Sequence, residues 1–165
     1  MKTTHSDIAG GHLKSTIGLE MLVRDVMTRD SISILKYESI KHAANVLLEN
    51  NISGLPVVDK EKNVIGMITQ ADILSMVGIR RGNTFKDLLK HILGEPLPER
   101  KLGDIVGDIM VSTVVTIKLD SNIAEAARIM DERNIRRLPV VDDKNVLIGI
   151  ITRADILRAV IRKLK

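Results

Sequence analysis

The first half of the chain has a pattern of apolar and polar positions that predicts a strand followed by a helix. Residues 31–35 alternate weakly, as a short strand does, and Ser39 is a suitable N-cap for a helix that begins at Ile40. Apolar residues then recur at helical spacing until the two asparagines at 50–51. The pattern therefore predicts a β-α unit over this stretch.

Two short apolar runs come next, at residues 55–58 and 64–68. The polar stretch DKEKN between them suits a hairpin turn. A second helix is predicted to begin at Thr69. The order of elements is then β-α-β-β-α, which indicates an α+β fold.

This set of elements occurs twice in the chain. The segments ISGLPVVD and IGMITQADIL return as IRRLPVVD and IGIITRADIL at an offset of 83 residues. Between residues 23–77 and 106–160, 24 of 55 positions are identical without a gap, so the chain contains an internal duplication. Because each copy is small for an independent core, we expect the two copies to pack sheet to sheet about a pseudo-two-fold axis.

The duplication divides the chain into four segments. We predict a partly helical N-terminal tail at residues 1–21, a first domain at 22–78, a connector at 79–104 and a second domain at 105–165. The connector is expected to contain a short helix at residues 85–93, which Gly94 and the prolines after it end.

Composition narrows the chemistry. Hydrophobic residues make up 44% of the chain, but there are one Phe, one Tyr and no Trp, so aliphatic side chains must line any pocket for a flat ligand. The lack of cysteine excludes disulfides and thiolate chemistry, and the N-terminus lacks the apolar stretch of a signal peptide, which favours the cytoplasm. The net charge of +4 favours anionic partners. The four histidines have no ligand spacing, and no metal site is predicted.

The sharpest motif is Gly-x-x-Thr-x-x-Asp, which stands in each copy where a strand runs into a helix. Its members are Gly66, Thr69 and Asp72 in the first copy and Gly149, Thr152 and Asp155 in the second. A helix N-terminus favours an anion, and a carboxylate one turn in can accept hydrogen bonds from a ribose diol. The alternative is a helix-capping box. Asp is shorter than the usual Glu or Gln of such a box, which favours a free carboxylate, and both interpretations remain open.

Three segments in order, VRDVMTRDSISI, NNISGLPVVD and IGMITQADIL, and their duplicates resemble CBS domains, which are named for the regulatory region of cystathionine beta-synthase. The resemblance covers both copies and leaves out the tail and the connector. It implies a Bateman module, usually a homodimer, that binds AMP, ADP, ATP or S-adenosylmethionine in clefts between the units. It also implies a regulatory function without catalysis or cofactor, directed at an unknown target protein.

Carried over to this sequence, the resemblance assigns ribose and phosphate contacts to Thr69, Asp72, Thr152 and Asp155. It assigns the adenine pocket to Thr28, Ile32, Ile52 and Pro56 in the first copy and to Val111, Val115, Ile135 and Pro139 in the second. For each apolar residue of this set, an ordinary place in the hydrophobic core is the alternative.

The two copies differ where charge matters for a phosphate. Ser53 and Gly54 of the first copy become Arg136 and Arg137 in the second. The resemblance implies that Ser53, Arg136 and Arg137 contact phosphate, and guanidinium matches phosphate oxygens well. The alternative is a solvated pair or a salt bridge. We therefore predict tighter nucleotide binding at the site of Thr152 and Asp155.

Two other classes of function compete with nucleotide sensing. A hydrolase or transferase that uses Asp72 and Asp155 lacks an accompanying His, Cys or metal cluster in the sequence. The basic net charge would suit nucleic-acid binding, but the near absence of aromatic residues argues against stacking on single strands. A protein-interaction adaptor without nucleotide sensing is the remaining alternative.

Overall fold

The computed structural model describes residues 20–76 and 104–165. Its helices are α1 (Val23–Val26), α2 (Ile40–Glu49), α3 (Gln70–Met76), α4 (Val106–Ile109), α5 (Ile123–Glu132) and α6 (Arg153–Leu164). Its strands are β1 (Thr28–Arg29), β2 (Ile34–Leu35), β3 (Gly54–Val58), β4 (Val64–Thr69), β5 (Ile117–Lys118), β6 (Arg137–Val141) and β7 (Leu147–Thr152). The predicted tail before residue 20 and the predicted helix at residues 85–93 lie outside the described residues.

Both copies contain the predicted β-α-β-β-α order, as β2-α2-β3-β4-α3 and β5-α5-β6-β7-α6. The predicted cap of α2 is confirmed, because the Ser39 hydroxyl accepts a hydrogen bond from the His42 N–H at 3.0 Å. Asn122 caps α5 in the same way, at 2.9 Å from the Glu125 N–H. The α+β interpretation is therefore confirmed, while the short elements α1, β1 and α4 were not predicted from the sequence.

The chain folds into two compact units, and each contains parts of both copies. One unit, here called the Asp155 unit, takes the described residues up to Ser31 together with those from Val115 onward. The other, the Asp72 unit, takes the described residues from Ile32 to Val114. The first copy therefore contributes α1 and β1 to the unit that contains most of the second copy, and the second copy contributes α4 to the Asp72 unit.

The Asp72 unit is a three-stranded sheet in the order β2-β3-β4, with β2 parallel and β4 antiparallel to β3. Its core combines residues of the sheet with apolar residues of α2 and α4. The buried members of this core are Ile34, Ala43, Leu47, Leu55, Val57, Ile68 and Val106. The helical spacing of Ala43 and Leu47 turns one face of α2 onto the sheet, which explains the apolar period of that helix.

The Asp155 unit is a four-stranded sheet in the order β1-β7-β6-β5. Strand β1 adds to the edge of β7, antiparallel, with Thr28 opposite Ile150. The core beneath α5 includes Ile123, Ala126, Met130, Leu138, Val140 and Ile151, and Val23 and Met27 of the first copy complete it. All of these side chains are buried, so the contributed segment belongs to the core of this unit.

The glycine of the repeated motif makes room for these contributed segments. A Cβ on Gly149 would clash with the carbonyl oxygen of Thr28 in β1. A Cβ on Gly66 would lie 2.7 Å from Sδ of Met110 and 3.0 Å from the carbonyl oxygen of Val111. At this glycine another segment of the chain therefore comes close to the backbone.

Candidate functional site

The motif of the second copy forms a complete capping box at the start of α6. The Thr152 N–H and hydroxyl both donate to Oδ2 of Asp155, at 2.9 and 2.8 Å. In return the Asp155 N–H donates to the Thr152 hydroxyl oxygen at 3.2 Å. Three hydrogen bonds thus fix the carboxylate against the strand-to-helix junction, with its Oδ1 as the outer oxygen.

The first copy repeats this geometry at the start of α3. The Thr69 N–H and hydroxyl donate to Oδ2 of Asp72, both at 2.8 Å, and the Asp72 N–H donates to the Thr69 hydroxyl oxygen at 3.3 Å. Of the two interpretations left open by the sequence, the capping box is present in both copies, although the shorter Asp had favoured a free carboxylate. Only one oxygen of each carboxylate remains for another partner.

The outer oxygens of the two carboxylates have different surroundings. In the second copy Oδ1 of Asp155 accepts a hydrogen bond from Arg158 at 2.5 Å. In the first copy the corresponding residue is Ser75, whose hydroxyl instead donates to the backbone carbonyl of Asp72 at 2.7 Å. Among the described residues, Oδ1 of Asp72 has no hydrogen-bond partner. The contact of Arg158 with Asp155 was not predicted from the sequence.

The predicted phosphate residues of the second copy lie beside its capping box. Arg137 is the cross-strand neighbour of Thr152, and the Arg136 carbonyl accepts the N–H of Arg153, the first residue of α6. Arg137 is half-buried and Arg136 is exposed. Burial, with the nearby charge of Arg136, lowers the pKa of Arg137 from its ordinary value. The backbones of two arginines thus lie next to the junction of β7 and α6 that carries Asp155.

The first copy has the same backbone arrangement without the charges. Gly54 is the cross-strand neighbour of Thr69, and the carbonyl of Ser53 accepts the Gln70 N–H at 3.0 Å. Ser53 is exposed. The two copies thus share one backbone geometry at these positions and differ only in their side chains.

The predicted adenine residues are not grouped in space by copy. In the Asp155 unit Thr28, Ile150 and Pro139 lie side by side across β1, β7 and β6. Partners in such a row share one face of the sheet, and that face also carries Arg137 and Thr152. Thr28 was assigned to the pocket of the first copy, whereas the structure places it with Pro139 of the second.

The Asp72 unit contains the matching row. Met67 lies between Pro56 and Val111, and Met67 and Val111 exchange backbone hydrogen bonds of 2.9 and 2.8 Å. Val111 was assigned to the pocket of the second copy, but it lies with Pro56 of the first. The physical reason is the addition of each short segment to the edge of the other copy's hairpin, which brings the unpaired edge groups into hydrogen bonds.

The other predicted adenine residues divide between core and surface. Ile52 packs against the core of the Asp72 unit, and Val115 and Ile135 pack against the core of the Asp155 unit. These three are partly buried, as the core interpretation required. Ile32 remains 42% exposed and Val111 49% exposed, so these two have apolar surface left for a ligand or a partner.

One polar atom near the predicted pocket was missed. The hydroxyl of Ser31, which follows β1 by two residues, is buried and has no hydrogen-bond partner among the described residues. Burial of an unpaired hydroxyl is unfavourable, so such an atom marks a place where a ligand or water is expected. No sequence signal separates Ser31 from the other serines of the chain, because only packing in the folded structure leaves its hydroxyl without a hydrogen-bond partner.

A cavity of about 570 Å³ opens beside Asp155, between α1 and α6. Its lining combines apolar residues with charged residues of both signs: Met21, Asp25, Val26, Asp155, Arg158, Ala159, Arg162 and Lys163. All of these residues belong to the Asp155 unit.

Residues 20–76 and 104–165 contain no group of three or more His, Asp or Glu side chains placed to hold a metal ion. No helix in the same two ranges is long and apolar enough to cross a membrane.

Comparison with known proteins places these features in a family. The family model for the CBS domain matches residues 23–78 and 106–162. MJ1404, an uncharacterized protein of Methanocaldococcus jannaschii, is 40% identical over 157 residues, which are 94% of this chain and 35% of that protein. CBSX2, a chloroplastic CBS domain-containing protein of Arabidopsis thaliana, is 32% identical over 157 residues, which are 85% of this chain and 63% of that protein. The chain thus spans between one third and two thirds of these relatives.

Solved structures agree with the sequence comparisons. The crystal structure of CBSX2 in complex with AMP has a TM-score of 0.71 at 31% identity and covers 88% of this chain and 99% of that one. The CBS domain pair of MJ0100 in complex with 5′-methylthioadenosine and S-adenosylmethionine has a TM-score of 0.69 at 29% identity, with 87% and 98% covered. Both TM-scores lie well within the range of a shared fold. The chain therefore belongs to the CBS domain family and contains a tandem pair of CBS domains.

Proposed function

We propose that this chain is a regulatory module that binds an adenosyl ligand through its two Thr-x-x-Asp boxes and signals by a change of conformation or association. Each box would present the outer oxygen of its carboxylate to a ribose diol. The face of the sheet next to it would hold the adenine, with Pro139 in one unit and Pro56 in the other. The proposed ligand is AMP, ADP, ATP or S-adenosylmethionine.

The proposal rests on one arrangement of residues that occurs in both units. In each unit a fixed carboxylate lies at a helix start, and a row of apolar side chains runs across the same sheet. A capping role alone explains the carboxylate, but it does not explain the buried hydroxyl of Ser31, two residues after β1, which has no hydrogen-bond partner among the described residues. The complexes of CBSX2 with AMP and of MJ0100 with 5′-methylthioadenosine and S-adenosylmethionine support the same class of ligand.

We propose further that the module itself does not catalyse a reaction. A hydrolase or transferase needs a base or nucleophile within hydrogen-bond reach of the reacting group. Both motif carboxylates are engaged as helix caps, and the outer oxygen of Asp155 is paired with Arg158. This engagement suits ligand binding, where a fixed acceptor is an advantage, better than proton transfer.

A thermal-shift screen tests the binding proposal. AMP, ADP, ATP, S-adenosylmethionine and 5′-methylthioadenosine would each be added at increasing concentration, with GMP as the control for the base. A ligand at 100 times its dissociation constant stabilises the folded state by about 2.7 kcal/mol, so the melting temperature should rise by several degrees for at least one adenosyl compound. An unchanged melting temperature with every compound would contradict the proposal.

We also propose that the chain forms a homodimer through its exposed helix faces. On α6, Leu157, Ile161 and Leu164 recur at helical spacing and remain 61%, 47% and 59% exposed. Leu74 of α3, the counterpart of Leu157 in the other copy, is 48% exposed. The same position is thus apolar and exposed in both copies, which suits a self-complementary interface with a second copy of the chain.

Sedimentation velocity tests the dimer. The wild-type chain should sediment as a dimer at micromolar concentration, and the double change Leu157→Lys with Ile161→Lys should shift it to the monomer, because two charges would be buried in the interface. Tyr37→Lys is the control, since Tyr37 is 61% exposed and lies outside the helix faces. A monomeric wild type, or a dimer that tolerates the double change, would refute this interface.

A further inference from the structure

The two carboxylates of the repeated motif differ in one contact. Arg158 donates to the outer oxygen of Asp155, while Ser75, its counterpart in the first copy, turns to the Asp72 carbonyl. The Arg158 side chain is 62% exposed and the Asp155 side chain only 11%, so the guanidinium covers the carboxylate from the solvent side. Any ligand hydroxyl that reaches Asp155 must come next to this cation.

The charges around Arg158 are not balanced on the cavity side. Arg158 and Arg162 lie one turn apart on α6 and both line the cavity of about 570 Å³. Lys163 forms an ion pair with Glu20 at 3.7 Å, and the Asp25 carboxylate accepts the Leu22 N–H at 3.2 Å. Among the described residues Arg162 has no acidic partner within ion-pair distance. The cavity therefore has the guanidinium of Arg162 beside the Arg158–Asp155 pair, and its lining also includes apolar residues.

We propose that Arg158 sets the ligand class of the Asp155 site: this site takes adenosyl ligands with a phosphate on the 5′ carbon, held by Arg158 and Arg162, and the Asp72 site, with Ser75 in place of Arg158, lacks this preference. The inference rests on the proposed function of the two boxes. A 5′ phosphate draws the guanidinium of Arg158 into a charge-assisted, bidentate hydrogen bond and frees Asp155 for the ribose. A ligand without the phosphate must share Asp155 with Arg158 and gains no anionic partner in return.

A purely structural role for Arg158 makes a different prediction. Its pair with Asp155 is an i, i+3 contact in which the guanidinium is 62% exposed, and a pair with one well-solvated partner contributes little to stability. Removal of Arg158 should therefore hardly change the melting temperature in either case. Only the ratio of affinities for a phosphorylated and an unphosphorylated ligand separates the two roles.

Titration calorimetry with AMP and 5′-methylthioadenosine, which share adenine and ribose, tests the proposal. Arg158→Ser gives the second copy the residue of the first, and Ser75→Arg makes the reverse change. Arg128→Ser is the matched control, because it removes the same charge from an exposed ion pair with Glu132 on α5 of the same unit. Arg158→Ser should weaken AMP binding by about tenfold or more and leave 5′-methylthioadenosine unchanged or tighter.

The reverse change, Ser75→Arg, should have the opposite effect. This variant should bind AMP more tightly and 5′-methylthioadenosine more weakly than the wild type. The proposal would be overturned if the ratio of the affinities for AMP and 5′-methylthioadenosine stayed the same in Arg158→Ser, or if it changed equally in Arg128→Ser. The binding function would stand in either case. If the wild type binds neither compound and none of the other adenosyl compounds of the thermal-shift screen, the proposed function fails. Pyrophosphate then tests the anion site alone. If the wild type binds pyrophosphate and the double variant Arg158→Ser with Arg162→Ser does not, the anion site is supported. If the wild type does not bind pyrophosphate, the anion site is overturned.

Discussion

Replacement of Asp155 by Asn is expected to weaken AMP binding by about one to two orders of magnitude. The asparagine side chain keeps an acceptor for the N–H of Thr152 but presents an uncharged amide to the ribose. A hydrogen bond to a charged group contributes about 1.5–3 kcal/mol, which corresponds to this loss of affinity. Isothermal titration calorimetry on the wild type and on Asp155→Asn measures it directly.

Asp72→Asn is the companion change, and we expect it to affect AMP less. The sequence places Arg136 and Arg137 only beside the second box, and the structure confirms that Arg137 is the cross-strand neighbour of Thr152. Asn122→Ala controls for the loss of a helix cap. It removes the hydrogen bond that starts α5, should cost about 1 kcal/mol of stability and should leave AMP affinity unchanged.

Two outcomes would contradict this assignment. If Asp72→Asn abolishes the tightest AMP binding and Asp155→Asn does not, the order of the two sites is reversed. If both changes lower the free energy of unfolding as Asn122→Ala does and neither changes AMP affinity, the boxes serve only as helix caps.

The change Gly149→Ala is expected to destabilise the Asp155 unit by about 1–3 kcal/mol, which is the usual cost of extra volume in a packed site. The added Cβ meets the carbonyl oxygen of Thr28, a backbone atom that can move only if β1 shifts away from β7. Urea unfolding followed by circular dichroism measures this loss, since the chain has no Trp for fluorescence.

Gly66→Ala is the matched control in the other unit. Its added Cβ meets first the Sδ atom of Met110, at 2.7 Å, and a flexible thioether can turn aside. We therefore expect a smaller loss of stability than for Gly149→Ala. Equal losses, or no loss at Gly149, would show that β1 does not approach β7 as closely as described.

The sequence by itself determined the local elements and the family. The helix α2 begins where Ser39 predicts it, because the N-cap hydrogen bond spans only three residues and depends on local geometry. The strands β3 and β4 and their turn follow from apolar runs on either side of a polar stretch. The duplication at 83 residues then transfers every such conclusion from one copy to the other.

Other conclusions required the tertiary structure. Strand β1 has two residues, too few for any alternation to show, and its partner β7 is more than one hundred residues away in sequence. Pairing across such a separation depends on which sheet edge is free, and a pattern along the chain does not contain that information. The sequence therefore grouped Thr28 with residues of the first copy, whereas the structure pairs its strand with β7 of the second.

The contacts of the two carboxylates were also decided in three dimensions. The motif identified Asp72 and Asp155 as a pair, but the hydrogen bonds to Thr69 and Thr152 depend on the angle at which each strand enters its helix. Whether Asp155 is shared with Arg158 depends on the rotamer of an exposed side chain, which the spacing of three residues permits but does not impose. The sequence thus determines which groups are available, and the fold determines what each of them contacts, because side-chain partners are set by packing between distant segments.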